Sequence, residues 1–143
     1  EGKNESFKKE FLDTHNAYRA KHSTPPVKYN EELNAAAQKW ADHMLQINTL
    51  QHSDTKDGEN VFSSWSSETL NPTGHFTQVV WKETTEVGVG VATDGNKLFV
   101  VGQYRPAGNM VMPGYFEKNV LPLGKTLPQF VIFYLLIYTF AAS

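Results

Sequence analysis

The chain of 143 residues is long enough for one domain with a hydrophobic core, and its 40% hydrophobic and 13% aromatic content excludes a disordered chain. The formal net charge is −2, and lysines are interspersed with glutamates rather than gathered into a basic stripe. This pattern argues against nucleic acid as a partner.

Two helices are predicted at the start of the chain. Apolar and aromatic residues recur every three or four positions over residues 6–22, which predicts an amphipathic helix. Pro25 and Pro26 end that helix. Asn30 is a favourable N-cap for a second helix, because two glutamates follow it in the first turn. The buried face of this second helix is predicted to contain Leu33, Ala36, Ala37, Trp40, Met44 and either Leu45 or Ile47.

The middle of the chain is polar and then returns to an apolar pattern. Residues 51–73 are rich in Ser, Asp, Asn and Gly, and no regular structure is assigned to them. A short helix is predicted from about 76 to 81. Helical spacing places His75 and Val79 on one face of this element, with Gln78 beside them. A titratable imidazole on an anchored element indicates a functional site.

A β-hairpin is predicted next. Valines alternate with glycines and an alanine over residues 87–92, which is typical of a strand with one bulky face and one nearly bare face. Asp94 and Gly95 favour a hairpin turn, and residues 98–104 form the returning strand. The bare face predicts that a helix packs very close to the sheet.

The composition changes after Pro122. Residues 130–142 are apolar apart from Thr139 and carry no charge. This stretch of 13 residues is shorter than the roughly 20 residues of a helix that spans a bilayer. It is interpreted as an aberrant C-terminus without an evolved role, an interfacial membrane anchor or a packed terminal element. We therefore divide the chain into one domain, 1–122, and an apolar tail, 123–143.

Four short motifs occur in a fixed order along the domain. They are His-Asn-Ala-Tyr-Arg at 15–19, Gly-Glu-Asn-Val at 58–61, Gly-His-Phe-Thr-Gln-Val-Val-Trp at 74–81 and Tyr-Arg-Pro-Ala-Gly-Asn at 104–109. Together they resemble the CAP superfamily of cysteine-rich secretory, antigen 5 and plant pathogenesis-related proteins. The resemblance covers about 7–122 and is closest to the cysteine-poor, Golgi-associated branch. It implies an α+β fold, a three-layer α-β-α sandwich.

The resemblance also implies a cleft with two histidines and two glutamates. His75 matches the second histidine of the family, His52 the first, and Glu59 the glutamate of the Gly-Glu-Asn motif. Two imidazoles together with carboxylates can hold Zn²⁺ or another divalent cation. His52 and His75 are therefore the expected metal ligands, and no other cofactor is expected.

The spacing between two of the motifs departs from the family pattern. Only thirteen residues lie between Asn60 and Gly74, fewer than is typical of the family. Trp65 and Glu68 keep the spacing of the family's Trp-x-x-Glu helix, which makes Glu68 a candidate fourth cleft residue. The alternative, which we favour, is that this helix is deleted and one wall of the cleft is missing.

The other motif residues are expected to support the structure. His15 faces the apolar stripe of the first helix and is interpreted as a structural histidine, whereas His22 and His43 are predicted at the surface or rim. Hydrogen bonds from Asn16, Arg19 and Asn60 are expected to tie loops to the scaffold. The complete set of expected structural residues is His15, Asn16, Arg19, Asn60, Gln78, Trp81, Tyr104 and Asn109.

The resemblance favours a non-enzymatic binding protein. Expected partners are a lipid, a sterol, a membrane surface or a protein, and a homodimer formed through the cleft face is a further hypothesis. An alternative is a metal-assisted hydrolase in which His52 and His75 bind Zn²⁺ while Glu59 activates water. Against it, the chain contains no His-Glu-x-x-His motif. A further alternative is a shortened variant with an impaired cleft.

The location is predicted from cysteine content. The chain contains no cysteine, which favours a reducing, intracellular setting. Together with the resemblance, this predicts a Golgi or membrane-associated protein, with secretion as the alternative. The first residue is Glu1 rather than Met, and no apolar segment of the signal-peptide type opens the sequence.

Overall fold

The computed structural model describes residues 2–64 and 72–122. The helices are α1 (Gly2–Lys21), α2 (Glu31–Ile47), α3 (Pro72–Val79) and α4 (Tyr115–Asn119). The strands are β1 (Lys28–Tyr29), β2 (Gly58–Ser63), β3 (Glu86–Thr93) and β4 (Leu98–Arg105). The predictions made for Trp65, Glu68 and the tail at 123–143 lie outside the described residues.

The strands form a single mixed sheet in the order β1-β3-β4-β2. The predicted hairpin is confirmed: β3 pairs antiparallel with β4, from Glu86 opposite Arg105 to Thr93 opposite Leu98. Gly95 in the turn has a φ of 94°, a conformation that glycine adopts without strain. Strand β2 is antiparallel to β4 and β1 is parallel to β3.

Strands β1 and β2 were not predicted from the sequence. β1 is two residues long, too short for any periodic pattern. In β2, the Gly-Glu-Asn motif lies within a strand whose residues are all buried or half-buried. Because both faces of β2 are covered, its sequence lacks the apolar-polar alternation of a half-exposed strand. For this reason no regular structure was predicted for this segment.

The sheet is covered by helices on both faces, which confirms the three-layer α-β-α sandwich. On one face, Ala37, Ala41 and Met44 of α2 pack against Phe99 and Val101 of β4. On the other face, α1 and α3 supply the apolar residues of a second cluster. That cluster includes Phe7, Phe11, Tyr18, Phe76, Val79, Val87, Val89, Val100 and Tyr104.

Helix α2 lies unusually close to β3, as the bare strand face predicts. A Cβ atom added at Gly88 would lie 2.2 Å from the backbone carbonyl carbon of Leu33, and one added at Gly90 would lie 2.3 Å from the backbone nitrogen of Gln38. Both distances are well inside van der Waals contact. Glycine is therefore required at both positions. The backbone of α2 occupies the space that a Cβ atom would fill, and backbone cannot move aside as a flexible side chain could.

This close approach lets α2 cover the free edge of β3. Asn34 accepts a hydrogen bond from the Val89 N–H at 2.9 Å. Gln38 donates to the Val91 carbonyl at 2.7 Å and accepts from the Val91 N–H at 3.1 Å. Two side-chain amides one turn apart thus satisfy backbone groups that a further strand would otherwise pair.

The ends of α2 and its buried face agree in most respects with the prediction. The Asn30 side chain caps the helix by accepting from the N–H groups of Glu32 and Leu33. The prediction that Ala36 is buried is wrong, since this residue is exposed. Of the two alternatives at the end of the helix, Leu45 is partly buried against the core and Ile47 is exposed. The buried face of α2 instead includes Asn34 and Ala41, because the Asn34 side chain bonds to the edge of β3.

Helix α1 begins at Gly2, earlier than predicted, and ends at Lys21 before the two prolines. Helix α3 runs from Pro72 to Val79, so it starts and ends earlier than the predicted 76–81. Within the part of the chain that the structure describes, no helix is both long and apolar enough to cross a membrane.

The glycine contacts predict a clear effect on stability. Gly90→Ala should lower the free energy of unfolding by roughly 1–3 kcal/mol, because the added methyl group meets the backbone of α2. Gly2→Ala is the matched control, since no atom lies within 4 Å of its Cβ position. Urea unfolding of both variants measures the difference, and an equal stability of the two would contradict the close packing.

Candidate binding cleft

Strand β2 directs neighbouring motif residues to opposite faces of the sheet, because side chains alternate along a strand. Glu59 lies opposite Gln103 of β4, whose side chain donates to Glu59 Oε2 at 3.0 Å. Asn60 points the other way, where its Nδ2 donates to the His75 carbonyl at 3.1 Å. The Gly-Glu-Asn motif therefore connects the cleft to α3 through two adjacent residues.

The Glu59 carboxylate is held by four hydrogen bonds. Oε1 accepts from His52 Nδ1 at 3.0 Å and from the Ser53 N–H at 2.8 Å. Oε2 accepts from Ser53 Oγ at 2.5 Å and from Gln103 at 3.0 Å. The side chain is only 3% exposed. Both oxygens are thus fixed in position by groups from the 52–53 loop and from β4.

These hydrogen bonds determine the charge of Glu59. Burial by itself would raise the pKa of the carboxyl group, but the donors from His52, Ser53 and Gln103 outweigh it and hold the pKa below its ordinary value. Glu59 is therefore a carboxylate at neutral pH. A carboxylate with a lowered pKa and filled acceptor sites is a poor general base.

The two histidines of the expected cleft differ in their surroundings. The His52 side chain is 51% exposed and donates from Nδ1 to Glu59. His75 is only 5% exposed, and burial, followed by repulsion from His52, lowers its pKa to about 4. His75 is therefore neutral at pH 7.

An open cleft of about 270 Å³ lies beside His52 and Glu59, and buried His75 is not among the residues that line it. Its walls are mostly polar and come from the 52–59 segment, α3 and the loop after β4. The lining residues are His52, Ser53, Thr55, Asp57, Gly58, Glu59, Gln78, Gly108 and Asn109. Gln78 and Asn109, which were expected to have structural roles, also form part of the cleft surface.

A hydrogen-bonded chain behind the cleft joins three elements. His15 Nδ1 donates to the Phe11 carbonyl at 2.8 Å, which leaves Nε2 to accept from the Tyr104 hydroxyl at 2.7 Å. Tyr104 in turn accepts from Asn60 Nδ2 at 3.4 Å. Burial lowers the pKa of His15 to about 4, so its ring is neutral and fills a structural position. The chain links α1 and β4 to the strand that carries Glu59.

Arg19 is the most extensively bonded side chain behind α3. It is 1% exposed, and its guanidinium donates to the carbonyls of Pro25 at 2.8 Å, Val79 at 3.0 Å, Trp81 at 2.8 Å and Thr84 at 2.8 Å. Burial lowers its pKa to about 10, so it stays charged at neutral pH. Arg19 thus holds together the loop after α1 and the C-terminal end of α3.

The loop after β4 is fixed to α3 by side-chain amides. Gln78 accepts from the Gly108 N–H at 3.0 Å and donates to Thr84 Oγ1 at 3.2 Å. Asn109 accepts from Thr77 Oγ1 at 2.5 Å and donates to the Gly74 carbonyl at 2.7 Å. These contacts form one wall of the cleft.

Two further motif residues support the scaffold. Asn16 pairs with Val27 in both directions, donating to its carbonyl at 3.0 Å and accepting from its N–H at 2.7 Å. The side-chain amide of Asn16 therefore acts as a substitute for backbone pairing. Trp81 is fully buried, with its ring edge-on to Phe116 at 5.1 Å between centroids.

One prediction about histidines is wrong. His22 was expected at the surface or rim, but it is 3% exposed and its Nδ1 donates to the Leu121 carbonyl at 2.6 Å. The end of the domain folds back over α1 and covers it, a long-range contact that helical periodicity does not reveal. His43 is exposed, with its ring 4.9 Å from that of Trp40.

Two partners of Glu59 were also missed. Gln103 carried a detectable signal, because it is a polar residue on the same strand face as Phe99 and Val101. Ser53 carried none, since its role depends on how the loop before β2 folds. Glu68, the expected fourth cleft residue, lies outside the described residues.

The described side chains do not by themselves form a metal centre. Among residues 2–64 and 72–122, no three His, Cys, Asp or Glu side chains are grouped closely enough to hold a metal ion. Glu59 has both oxygens occupied, and His52 Nδ1 is committed to it. Two imidazoles fall short of the three or four protein ligands of a zinc site.

The lowered pKa values of buried His15 and His75 predict a pH dependence of stability. Because their folded pKa values, about 4, lie below the ordinary 6.5, the unfolded chain binds more protons between these values. The free energy of unfolding should therefore fall as the pH drops from 6.5 to 4, by about 3 kcal/mol for each histidine. NMR titration of the rings and urea unfolding across this range provide the measurement.

A pair of variants assigns this effect. His15→Gln and His75→Gln should each flatten the pH dependence by about one proton, because each removes a ring that is protonated in the unfolded chain and neutral in the folded one. Ordinary titration of His15 and His75 near pH 6.5 in the folded protein would contradict their burial as neutral rings.

Comparison with known proteins identifies the family. The model of the CAP, or cysteine-rich secretory protein, family matches residues 12–104. The human Golgi-associated plant pathogenesis-related protein 1 is 39% identical over 144 residues, which cover 81% of this chain and 93% of that protein. Secreted protein RBT4 of Candida albicans is 33% identical over 83% of this chain, and the matched part spans 42% of its length.

Solved structures agree at the level of the fold. The crystal structure of NaASP2 with Zn²⁺ has a TM-score of 0.64 and 23% identity, and the match covers 85% of this chain and 87% of that one. Structural neighbours of this kind share the α-β-α sandwich. The four ordered motifs, the fold and the family match lead to one conclusion: the chain belongs to the cysteine-rich secretory protein family, the CAP proteins.

Proposed function

We propose that this CAP protein is a non-enzymatic binding protein whose polar cleft beside His52 and Glu59 receives the polar part of a lipid or sterol, or a segment of a protein partner. The observation that carries the proposal is the immobilised Glu59 carboxylate with its four hydrogen bonds. These bonds make one wall of the cleft rigid and leave the half-exposed His52 imidazole at its mouth, an arrangement that suits recognition. A carboxylate with occupied oxygens suits proton transfer poorly.

The chemistry of the histidines supports binding over hydrolysis. A metal-assisted hydrolase needs a metal held by several ligands and a base that takes a proton from water. The described residues provide two imidazoles and a carboxylate whose pKa is held low. Zn²⁺ binding through His52 and His75 thus requires a further ligand from outside the described residues. The zinc in the NaASP2 structure belongs to that protein.

The location is proposed from the relatives. The name of the human relative places that protein at the Golgi, and the Candida albicans relative RBT4 is named a secreted protein. The present chain has no cysteine, and it spans most of the human relative. We therefore propose a Golgi or membrane-associated location for it.

The cleft can be tested with an exposed residue, so that folding is not at risk. His52→Ala should weaken binding to vesicles of phosphatidylcholine with phosphatidylserine, or with cholesterol, by about tenfold, because a polar contact at the mouth of the cleft is lost. His43→Ala, an exposed histidine beside Trp40, is the matched control. Co-sedimentation of the full chain with vesicles, together with a pull-down for protein partners, measures the effect.

Two outcomes would contradict the proposal. Equal binding by wild type, His52→Ala and His43→Ala would remove the cleft from the interaction. Stoichiometric zinc by mass spectrometry, together with hydrolytic turnover that is lost in His75→Ala, would instead establish the metal-assisted hydrolase.

A further inference from the structure

Three consecutive apolar residues project from the loop between β4 and α4. Met110 is 41% exposed, Val111 89% and Met112 46%, and we call these three residues the apolar tip. Among the described residues, Ile47 is the only other large apolar side chain with comparable exposure. No charged residue occurs from 106 to 114, so the tip has an uncharged border along the chain.

We propose that the apolar tip is a membrane-contact surface, which inserts into the interfacial region of a lipid bilayer beside the cleft. The proposal rests on the lipid form of the proposed function. It adds the surface by which the protein would meet a membrane.

The backbone on both sides of the apolar tip is anchored to the domain. On one side, Asn109 is bonded through its side chain to Thr77 and Gly74 of α3. On the other side, the Tyr115 N–H donates to the Met112 carbonyl at 3.1 Å, and Phe116 packs edge-on against buried Trp81. The three side chains are exposed although the backbone on either side is anchored. Their exposure is thus a feature of the fold rather than of a loose loop.

A second anchor follows on α4. The Asn119 side-chain oxygen accepts from the Glu83 N–H at 2.9 Å, and the Asn119 backbone carbonyl accepts from the Lys82 N–H at 2.9 Å. Asn119 is fully buried. The segment that carries the apolar tip is therefore attached to the domain before and after the tip, as a rigid membrane-contacting loop requires.

The size of the apolar tip favours a bilayer over a protein partner. Three side chains with these exposures present apolar surface on the order of 300 Å². A stable protein interface needs about 800 Å² on each partner. A bilayer sets no such threshold, because each apolar group that leaves water contributes by itself. Methionine side chains are also flexible, so they adapt to a fluid environment.

The position of the apolar tip relates it to the cleft. Asn109, which lines the cleft, directly precedes Met110 in the chain. A bilayer that takes up the tip would therefore present its headgroups near His52 and Glu59. Apolar contact and polar recognition would then occur on the same side of the molecule.

The remaining chain supplies a second membrane signal. The described residues end at Pro122, and the sequence beyond contains the uncharged apolar stretch at 130–142. One short apolar element gives only weak and reversible membrane binding, and stable attachment takes two. The tip and this stretch lie within the same C-terminal part of the chain.

The absence of cysteine allows a direct test. Val111→Cys in the full chain creates a single labelling site for an environment-sensitive fluorophore, and Ile47→Cys, at the exposed C-terminal end of α2, is the matched control. On adding vesicles of phosphatidylcholine with phosphatidylserine, the label at 111 should shift to the blue and the label at 47 should not. Replacing all three tip residues by serine should weaken vesicle partitioning roughly tenfold or more.

The possible results distinguish the tip proposal from the cleft proposal. Vesicle binding without a shift at 111, or unchanged partitioning of the triple-serine variant, overturns the tip proposal. A shift at 111 that depends on protein concentration without vesicles assigns the tip to a second copy of the chain and also overturns it. If the triple-serine variant loses binding while His52→Ala does not, the tip proposal stands and the cleft proposal fails.

Discussion

The arrangement of the site depends on one buried cation. The Arg19 guanidinium satisfies four carbonyl oxygens, and among the described residues its hydrogen-bond partners are all backbone. Two of these carbonyls, at Val79 and Trp81, lie at the C-terminal end of α3, where the helix dipole favours a positive charge. The side chain therefore determines where α3 ends and joins that end to α1. His75 lies one turn earlier on the same helix, so its position follows from this contact.

The rest of the site is built outward from this anchor as a rigid polar surface. The chain His15–Tyr104–Asn60 reaches the carbonyl of His75 from the other direction, so α3 is held at its end and at its middle. Glu59, adjacent to Asn60 on β2, is then fixed by the 52–53 loop and β4. Neutral buried rings and a carboxylate with occupied acceptors leave little capacity for proton transfer at neutral pH. What the surface retains is a fixed pattern of polar groups beside an exposed apolar tip, which is why we infer binding.

Sequence patterns predicted the elements whose signals are local. Helical periodicity, the Asn30 cap and the Asp94-Gly95 turn are contained within short windows, and the structure confirms each of them. The alternating glycines also predicted the close approach of α2. The pairing of His52 with Glu59 came from the family resemblance. Features that depend on distant contacts were missed: β2 is buried on both faces, His22 is covered by residue 121, and Ser53 reaches Glu59 through loop folding.

The most direct measurement of the central claim is the stability of Arg19→Lys beside that of Arg105→Lys. A lysine keeps the charge but cannot reach four carbonyl oxygens, so Arg19→Lys should lower the free energy of unfolding by about 3 kcal/mol and speed amide exchange at Val80 and Trp81. Arg105 is 35% exposed and its ion pair with Asp57 is screened by solvent, so Arg105→Lys should cost much less stability than Arg19→Lys. Equal losses from the two variants, with exchange at the end of α3 unchanged, would contradict the account.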